Sequence, residues 1–291
     1  MAVGITLYSN RPEEMVPIAQ AAEALGYEGV WLGDHVVVPE EMSQEHPYPK
    51  PVPWVQSGDD RIYDLWVTAG AIIGATSKLY VATGVCLAAL RHPILTARAC
   101  LSAHKLSKGR FRFGVGVGWL ASEFEALGVP FSDRAKRLEE ILDVLPKLFA
   151  GNGPVSHKGS YFAFPPLQMS REPACIPILF GGTKGPAIRR AALRGDGWYG
   201  TSVPLEEYYA IKREIERIRT EHGLGDRPFQ WIGRPQGPAT IENLDRYRAA
   251  GFESLVLPWE TVHPYGQSDM SLGAKLGSLE RVARALKLVP R

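Results

Sequence analysis

An acid and an imidazole stand side by side at Asp34 and His35, directly after the apolar run Gly29-Val30-Trp31-Leu32-Gly33. Imidazole is the side chain best suited to exchanging a proton near neutral pH, and an adjacent carboxylate can orient or support it. A plainer role is equally open, with Asp34 capping the next loop and His35 packed against it. No metal is expected here. His35, His46, His92 and His104 are numerous, yet no HxxxH or HExxH spacing puts two of them on one helix face. Neither a GxSxG elbow nor the surroundings of a cysteine nucleophile are present, which counts against a hydrolase.

Three further stretches carry residue types that could receive a ligand. Thr83-Gly84-Val85-Cys86 ends an apolar run with a glycine, a backbone surface on which a flat ring could lie, although close packing explains it as well. Gly114-Val115-Gly116-Val117-Gly118-Trp119 falls short of a dinucleotide fingerprint, because the third glycine of GxGxxG is replaced by Trp119. What remains is a glycine-lined end with an aromatic wall, suited to a planar ligand. Gly181-Gly182-Thr183 precedes a helix, whose amides and dipole favour an anion with the Thr183 hydroxyl as a further donor. A plain turn with Thr183 as N-cap is the alternative.

These stretches need elements that bring them together. Apolar strands are expected at Val3–Tyr8, Gly29–Gly33, Lys78–Val85, Arg110–Val117, Ile176–Phe180, Gly197–Thr201, Phe229–Gly233 and Ser254–Leu257. Helical spacing falls between them, at Pro12–Leu25, Leu65–Ala75, Pro93–Leu106, Pro186–Arg194, Leu205–His222, Ile241–Ala250 and Leu272–Leu286. The segment 119–149 holds a short helix and a long one, with Leu138, Ile141, Leu142, Leu145 and Leu148 on a single face. Near-continuous apolar strands alternating with amphipathic helices demand a parallel sheet covered by helices. Eight repeats favour a single (β/α)8 barrel over an open doubly wound sheet, with residues 1–291 read as one domain. Two insertions interrupt the rhythm. A proline-rich excursion from Pro39 to Arg61 follows the second strand and reads as a functional cover, and Gly151–Pro166 reads as a small hairpin after the fourth βα unit.

Composition narrows the setting. Of 291 residues, 45% are hydrophobic and 22% charged, enough apolar material for a sizeable core, and the net charge of +2 is scattered, so no nucleic-acid surface is marked. Arg189, Arg190 and Arg194 read as one solvated helix face. Cys86, Cys100 and Cys175 lie far apart without CxxC spacing, which fits a reducing compartment. Leu65–Ala75 is broken by Ser77-Lys78 before it reaches bilayer length, and no basic n-region with a long apolar stretch opens the chain. A cytoplasmic protein with no membrane partner is expected.

In several ordered blocks the chain resembles the luciferase-like monooxygenase superfamily, within it the branch dependent on coenzyme F420. The blocks are Leu25-Gly26-Tyr27-Glu28-Gly29-Val30-Trp31, Thr83-Gly84-Val85, Leu90-Arg91-His92-Pro93, Gly109-Arg110-Phe111, the glycine run to Trp119, Phe124-Glu125-Ala126-Leu127-Gly128-Val129-Pro130, Gly181-Gly182-Thr183, Arg190-Ala191-Ala192 and Gly195-Asp196-Gly197-Trp198. The resemblance implies a TIM barrel with insertions, a homodimer, and a flavin or deazaflavin at the carboxyl ends of the strands. Asp34-His35 matches the deazaflavin branch, where flavin mononucleotide (FMN) luciferases carry Glu before His. It implies His35 beside the ring as proton donor or acceptor, and a non-proline cis peptide at Gly84-Val85, with Cys86 following. Val117, Gly118 and Trp119 would line the cofactor, and Gly181, Gly182 and Thr183 would hold its phosphate. The sugar-phosphate dehydrogenase relative carries an acid after the fourth-strand glycine. Here Trp119-Leu120 stand instead, so that acid and that substrate are not expected.

The activity expected is hydride transfer between coenzyme F420 and a small organic substrate, with His35 handling the proton. An FMN-dependent two-component monooxygenase is the alternative, and a non-redox barrel enzyme or cofactor carrier the third. Trp54 and Tyr63, with the His263-Pro264-Tyr265 loop, are candidate substrate walls.

Overall fold

Eight parallel strands close into a ring in the computed structural model, which describes residues 2–8, 10–37, 63–200, 203–262 and 271–290, the side chain of Glu260 excepted. In chain order come β1 (Ala2–Thr6), α1 (Pro12–Ala24), β2 (Gly29–Leu32), α2 (Leu65–Ala75), β3 (Tyr80–Thr83), the short β4 (Cys86–Leu87) and α3 (Pro93–Leu106). Next are β5 (Phe111–Gly116), α4 (Ala121–Ala126), α5 (Arg134–Ala150) and the antiparallel hairpin β6 (Val155–Lys158) and β7 (Ala163–Leu167). The chain continues with β8 (Ile178–Phe180), α6 (Gly185–Arg194), β9 (Gly197–Tyr199), α7 (Leu205–Glu221), β10 (Gln230–Gly233), α8 (Ile241–Ala249), β11 (Ser254–Leu257), α9 (Trp259–Val262) and α10 (Leu272–Ala285).

Closure occurs where β1 pairs with β11 through Val3 and Leu255, and β3 pairs with β5 through Val81 and Phe111. The expected (β/α)8 barrel is therefore present, and the expected hairpin follows its fourth βα unit. The excursion from Pro39 to Arg61 lies outside the described residues.

Why the strands read as unbroken apolar runs is plain from their burial. Trp31, Tyr80, Ala82, Leu179, Tyr199, Ile232 and Val256 fill the lumen, while their neighbours Val30, Leu32, Val81, Trp198, Leu255 and Leu257 face the helices. Both faces are dry, so both alternate sets are apolar. The lumen holds large rings. Trp31 stacks on Tyr199 with centroids 4.2 Å apart and planes 3° from parallel, and meets Tyr80 edge-on at 6.1 Å. Space for them comes from absent side chains: a Cβ at Gly29 would lie 2.2 Å from the Tyr80 ring.

Helix boundaries follow local chemistry. Asp64 caps α2 by accepting from the amides of Trp66 and Val67, and Pro93 occupies the first turn of α3. Helix α5 buries Leu138, Ile141, Leu142, Leu145 and Leu148, the expected stripe, and stops at Gly151, whose φ of +66° is open to glycine. Among the described residues no helix is long and apolar enough to cross a membrane.

Candidate functional site

Because the barrel strands are parallel, their carboxyl ends share one rim, and every candidate stretch lies on it. Gly33, Asp34 and His35 leave β2, Gly84 and Val85 leave β3, Val117 to Trp119 leave β5, and Gly181 to Thr183 leave β8. The sequence expectation that these residues converge is met by the topology.

His35 is held from across the rim. Its Nδ1 lies 3.0 Å from Glu123 Oε2, and the amide of Val36 donates to Glu123 Oε1 at 2.7 Å. The Glu123 side chain is wholly buried, whereas that of His35 is 18% exposed. One carboxylate thus fixes both the imidazole and the backbone that carries it. Glu123 sits in the first turn of α4, where the helix dipole favours an acid. Trp119 meets the imidazole edge-on, with centroids 5.8 Å apart.

Asp34 is held by groups from β4 and the turn that follows it. Its Oδ2 accepts from the Leu87 amide at 2.7 Å and from Arg91 Nη1 at 2.5 Å, and its Oδ1 accepts from Arg91 Nη2 at 2.8 Å. Both oxygens are committed to β4 and the turn after it, so Asp34 ties the exit of β2 to the exit of β3. Such a buried pair holds together because the planar guanidinium satisfies the carboxylate twice. The burial of Arg91 works against its charge, and neighbouring Cys86 and Asp34 outweigh that and hold its pKa up.

The rim glycines turn out to be packing devices. The Gly84-Val85 peptide is cis, as the resemblance implied. Ala82 and Val85 both face the lumen, so the alternation shifts by one residue between them. The Val85 side chain lies between two glycines: an added Cβ would come within 2.5 Å of it at Gly116 and 3.3 Å at Gly181. Val85 thereby becomes an apolar floor over the barrel. The same shift places the thiol of Cys86, fully buried, among the residues facing the helices. Burial first, then nearby Asp34, pushes that thiol's pKa far up. At Gly118 the φ of +83° turns the chain toward Trp119, and a Cβ there would strike Phe124 at 2.8 Å.

Tyrosines complete the rim. Tyr8 donates to the Gly84 carbonyl oxygen, and Arg234 lies 5.8 Å from the ring centres of both Tyr8 and Tyr199. The Tyr199 hydroxyl is buried beside that of Tyr8 but forms no well-oriented hydrogen bond among the described residues. Tyr63 packs against the helix-facing core with its hydroxyl buried near the Gly33 backbone, which raises its pKa by desolvation first. Trp54 and His263-Pro264-Tyr265 lie outside the described residues. On the far side, Gly182 is anchored by its carbonyl accepting from Trp198 Nε1 at 2.9 Å. Lys184, not Thr183, is the N-cap of α6, and no side chain caps that helix.

Residues 2–234 match the sequence profile of the luciferase-like monooxygenase family. The chain belongs to that family. The chain is an oxidoreductase of that family, and one named relative depends on F420. An F420-dependent hydroxymycolic acid dehydrogenase of Mycobacterium tuberculosis is 30% identical over 263 residues, covering 86% of this chain and 68% of that protein. An uncharacterized protein of the same organism is 28% identical over 269 residues, 92% of each chain. Among solved structures, an F420-dependent secondary alcohol dehydrogenase bound to an F420–acetone adduct superposes with a TM-score of 0.75 at 16% identity, covering 98% of both chains. The F420-dependent tetrahydromethanopterin reductase of Methanopyrus kandleri gives 0.71 at 15% identity, again over 98% of both. These last two share the barrel fold of the family.

Sequence reasoning missed Glu123 and Arg91 as site residues. A signal for the first existed. Leu120, Glu123, Phe124 and Leu127 recur at the spacing of one helix face, so an acid stands on an apolar stripe and needs a buried partner.

Proposed function

We propose that the chain is a coenzyme F420-dependent oxidoreductase acting on a small organic carbonyl, alcohol or activated alkene, with His35 as the proton-transfer residue. The observation that carries this reading is the buried Glu123 carboxylate aiming a partly exposed His35 at the rim beside the Val85 floor. Relatives that depend on F420 supply the cofactor class.

The residues present suit a flat, phosphate-bearing cofactor. An apolar floor at Val85, walls at Val117, Gly118 and Trp119, and the buried Tyr199 hydroxyl would meet a ring system edged with polar atoms. Gly181, Gly182 and Thr183, ahead of a helix that no side chain caps, would hold its phosphate. When bound, the deazaflavin supplies a centre that gains or loses hydride. His35 would give or take the proton at the substrate oxygen, Trp119 would shield the imidazole from water, and Asp34 with Arg91 would keep the two strand exits in register.

Titration of the purified protein with coenzyme F420 and with FMN, followed by absorbance and fluorescence, tests the assignment. F420 should bind and support turnover. Tight yellow FMN binding with oxygen consumption would instead establish the monooxygenase reading. His35→Asn should lower turnover by about 10²–10⁴-fold while leaving F420 affinity nearly unchanged. Undiminished turnover in that variant would remove His35 from the mechanism.

The reading extends to a homodimer through α2. Val67, Ala71 and Gly74 form an uncharged, exposed face, with Val67 73% exposed and open space above Gly74. Light scattering should report twice the chain mass, and Val67→Glu should return it toward one chain. A monomer in both samples contradicts the assignment.

A further inference from the structure

We infer that Glu123 is a positioning residue that sets the tautomer of His35, keeping the hydrogen on Nδ1 so that Nε2 carries the lone pair offered to a substrate hydroxyl. The inference deepens the proton-transfer reading of His35 and rests on it.

The argument is one of donor counting. The Val36 amide can only donate, and it takes Glu123 Oε1 at 2.7 Å. Oε2 remains, 3.0 Å from Nδ1. A carboxylate offers no hydrogen, so the imidazole must supply one there, and a neutral imidazole has a single hydrogen to supply. Nδ1–H therefore leaves Nε2 as the basic nitrogen. The wholly buried Glu123 side chain shuts water out of this exchange. The neighbouring acid cannot substitute, because both oxygens of Asp34 are already engaged by Arg91 and Leu87. A neutral base at Nε2 matches a substrate that surrenders a hydroxyl proton, and so assigns the site to alcohols and their carbonyl counterparts ahead of activated alkenes.

An amide in place of the carboxylate has one acceptor end and one donor end. Val36 claims the acceptor end, so in Glu123→Gln the NH2 group faces Nδ1. The imidazole answers by moving its hydrogen to Nε2, and the lone pair then points away from the substrate.

Imidazole ¹⁵N and ¹³C NMR of the labelled chain reads the tautomer directly. The spectrum is recorded near pH 9, about two units above the usual imidazole range, and His35 is identified by the signal lost in His35→Asn. The unsubstituted protein should show Nδ1–H. Glu123→Gln should show Nε2–H, with kcat lowered about 10²–10³-fold, KM little changed and F420 affinity retained. Nε2–H in the unsubstituted protein overturns the inference, as does an unchanged tautomer in Glu123→Gln. The first measurement needs no variant, so it decides even if Glu123→Gln folds poorly. Failure of F420 to bind would remove the proposed cofactor while leaving the tautomer result standing. F420 binding with Nε2–H in the native chain would remove Glu123's role alone.

Discussion

The two ends of the barrel lumen use polar groups in opposite ways. At the amino end the groups satisfy one another: Trp31 Nε1 donates to the Tyr80 hydroxyl at 3.2 Å, that hydroxyl meets Ser254 Oγ at 3.4 Å, and Ser254 Oγ reaches Glu28 at 3.2 Å. The guanidinium of Arg112 lies over the Tyr80 ring at 3.9 Å. At the carboxyl end, Asp34 and Glu123 instead hold strand exits and the His35 imidazole, and among the described residues the Tyr199 hydroxyl has no well-formed bond. One end of the barrel closes on itself, and the other is arranged to present something. Polarity at the amino end serves stability alone, whereas at the carboxyl end the same groups stabilise the exits and orient a side chain.

Substitutions at the two ends should therefore differ in kind as well as size. The largest loss of stability is expected at Asp34→Ala, about 3 kcal/mol by urea unfolding, because it strands Arg91 in a mostly buried place and orphans the Leu87 amide. The double variant Asp34→Ala/Arg91→Met should recover most of that loss, since the uncompensated charge is then gone. A double variant as unstable as the single would mean the pair matters for something other than charge. Next comes Gly29→Ala, expected to cost about 2 kcal/mol, since its Cβ would overlap the packed Tyr80 ring. It should leave the His35 tautomer untouched, and a change there would show that the two ends are coupled. The smallest effect is expected for Tyr80→Phe, about 1 kcal/mol, as Trp31 and Ser254 lose a shared partner while the ring contacts stay. An activity loss larger than that stability loss would break the distinction.

Much of this was legible in the sequence, for a definite reason. Strand and helix periods are local, so all eight barrel strands, the α5 stripe and the small hairpin could be read from neighbours within a few residues. The Asp34-His35 pair and the glycine-rich strand ends stood out by type. Pairings across the barrel did not. His35 and Glu123 are separated by 88 positions, and Asp34 and Arg91 by 57, so no local pattern links them. Adjacency in the chain suggested that Asp34 serves His35, whereas folding gives each acid a partner from elsewhere. The one-residue shift before Val85, which turns the Cys86 side chain toward the helices, has no local signal in the sequence either.

Glu123 grips the amide of Val36, three residues ahead of Pro39, where the expected proline-rich excursion begins. That clamp ties the imidazole and the chain leaving β2 to a single buried group. The ring and the backbone that follows it therefore share one anchor, and a displacement of α4 would shift both together.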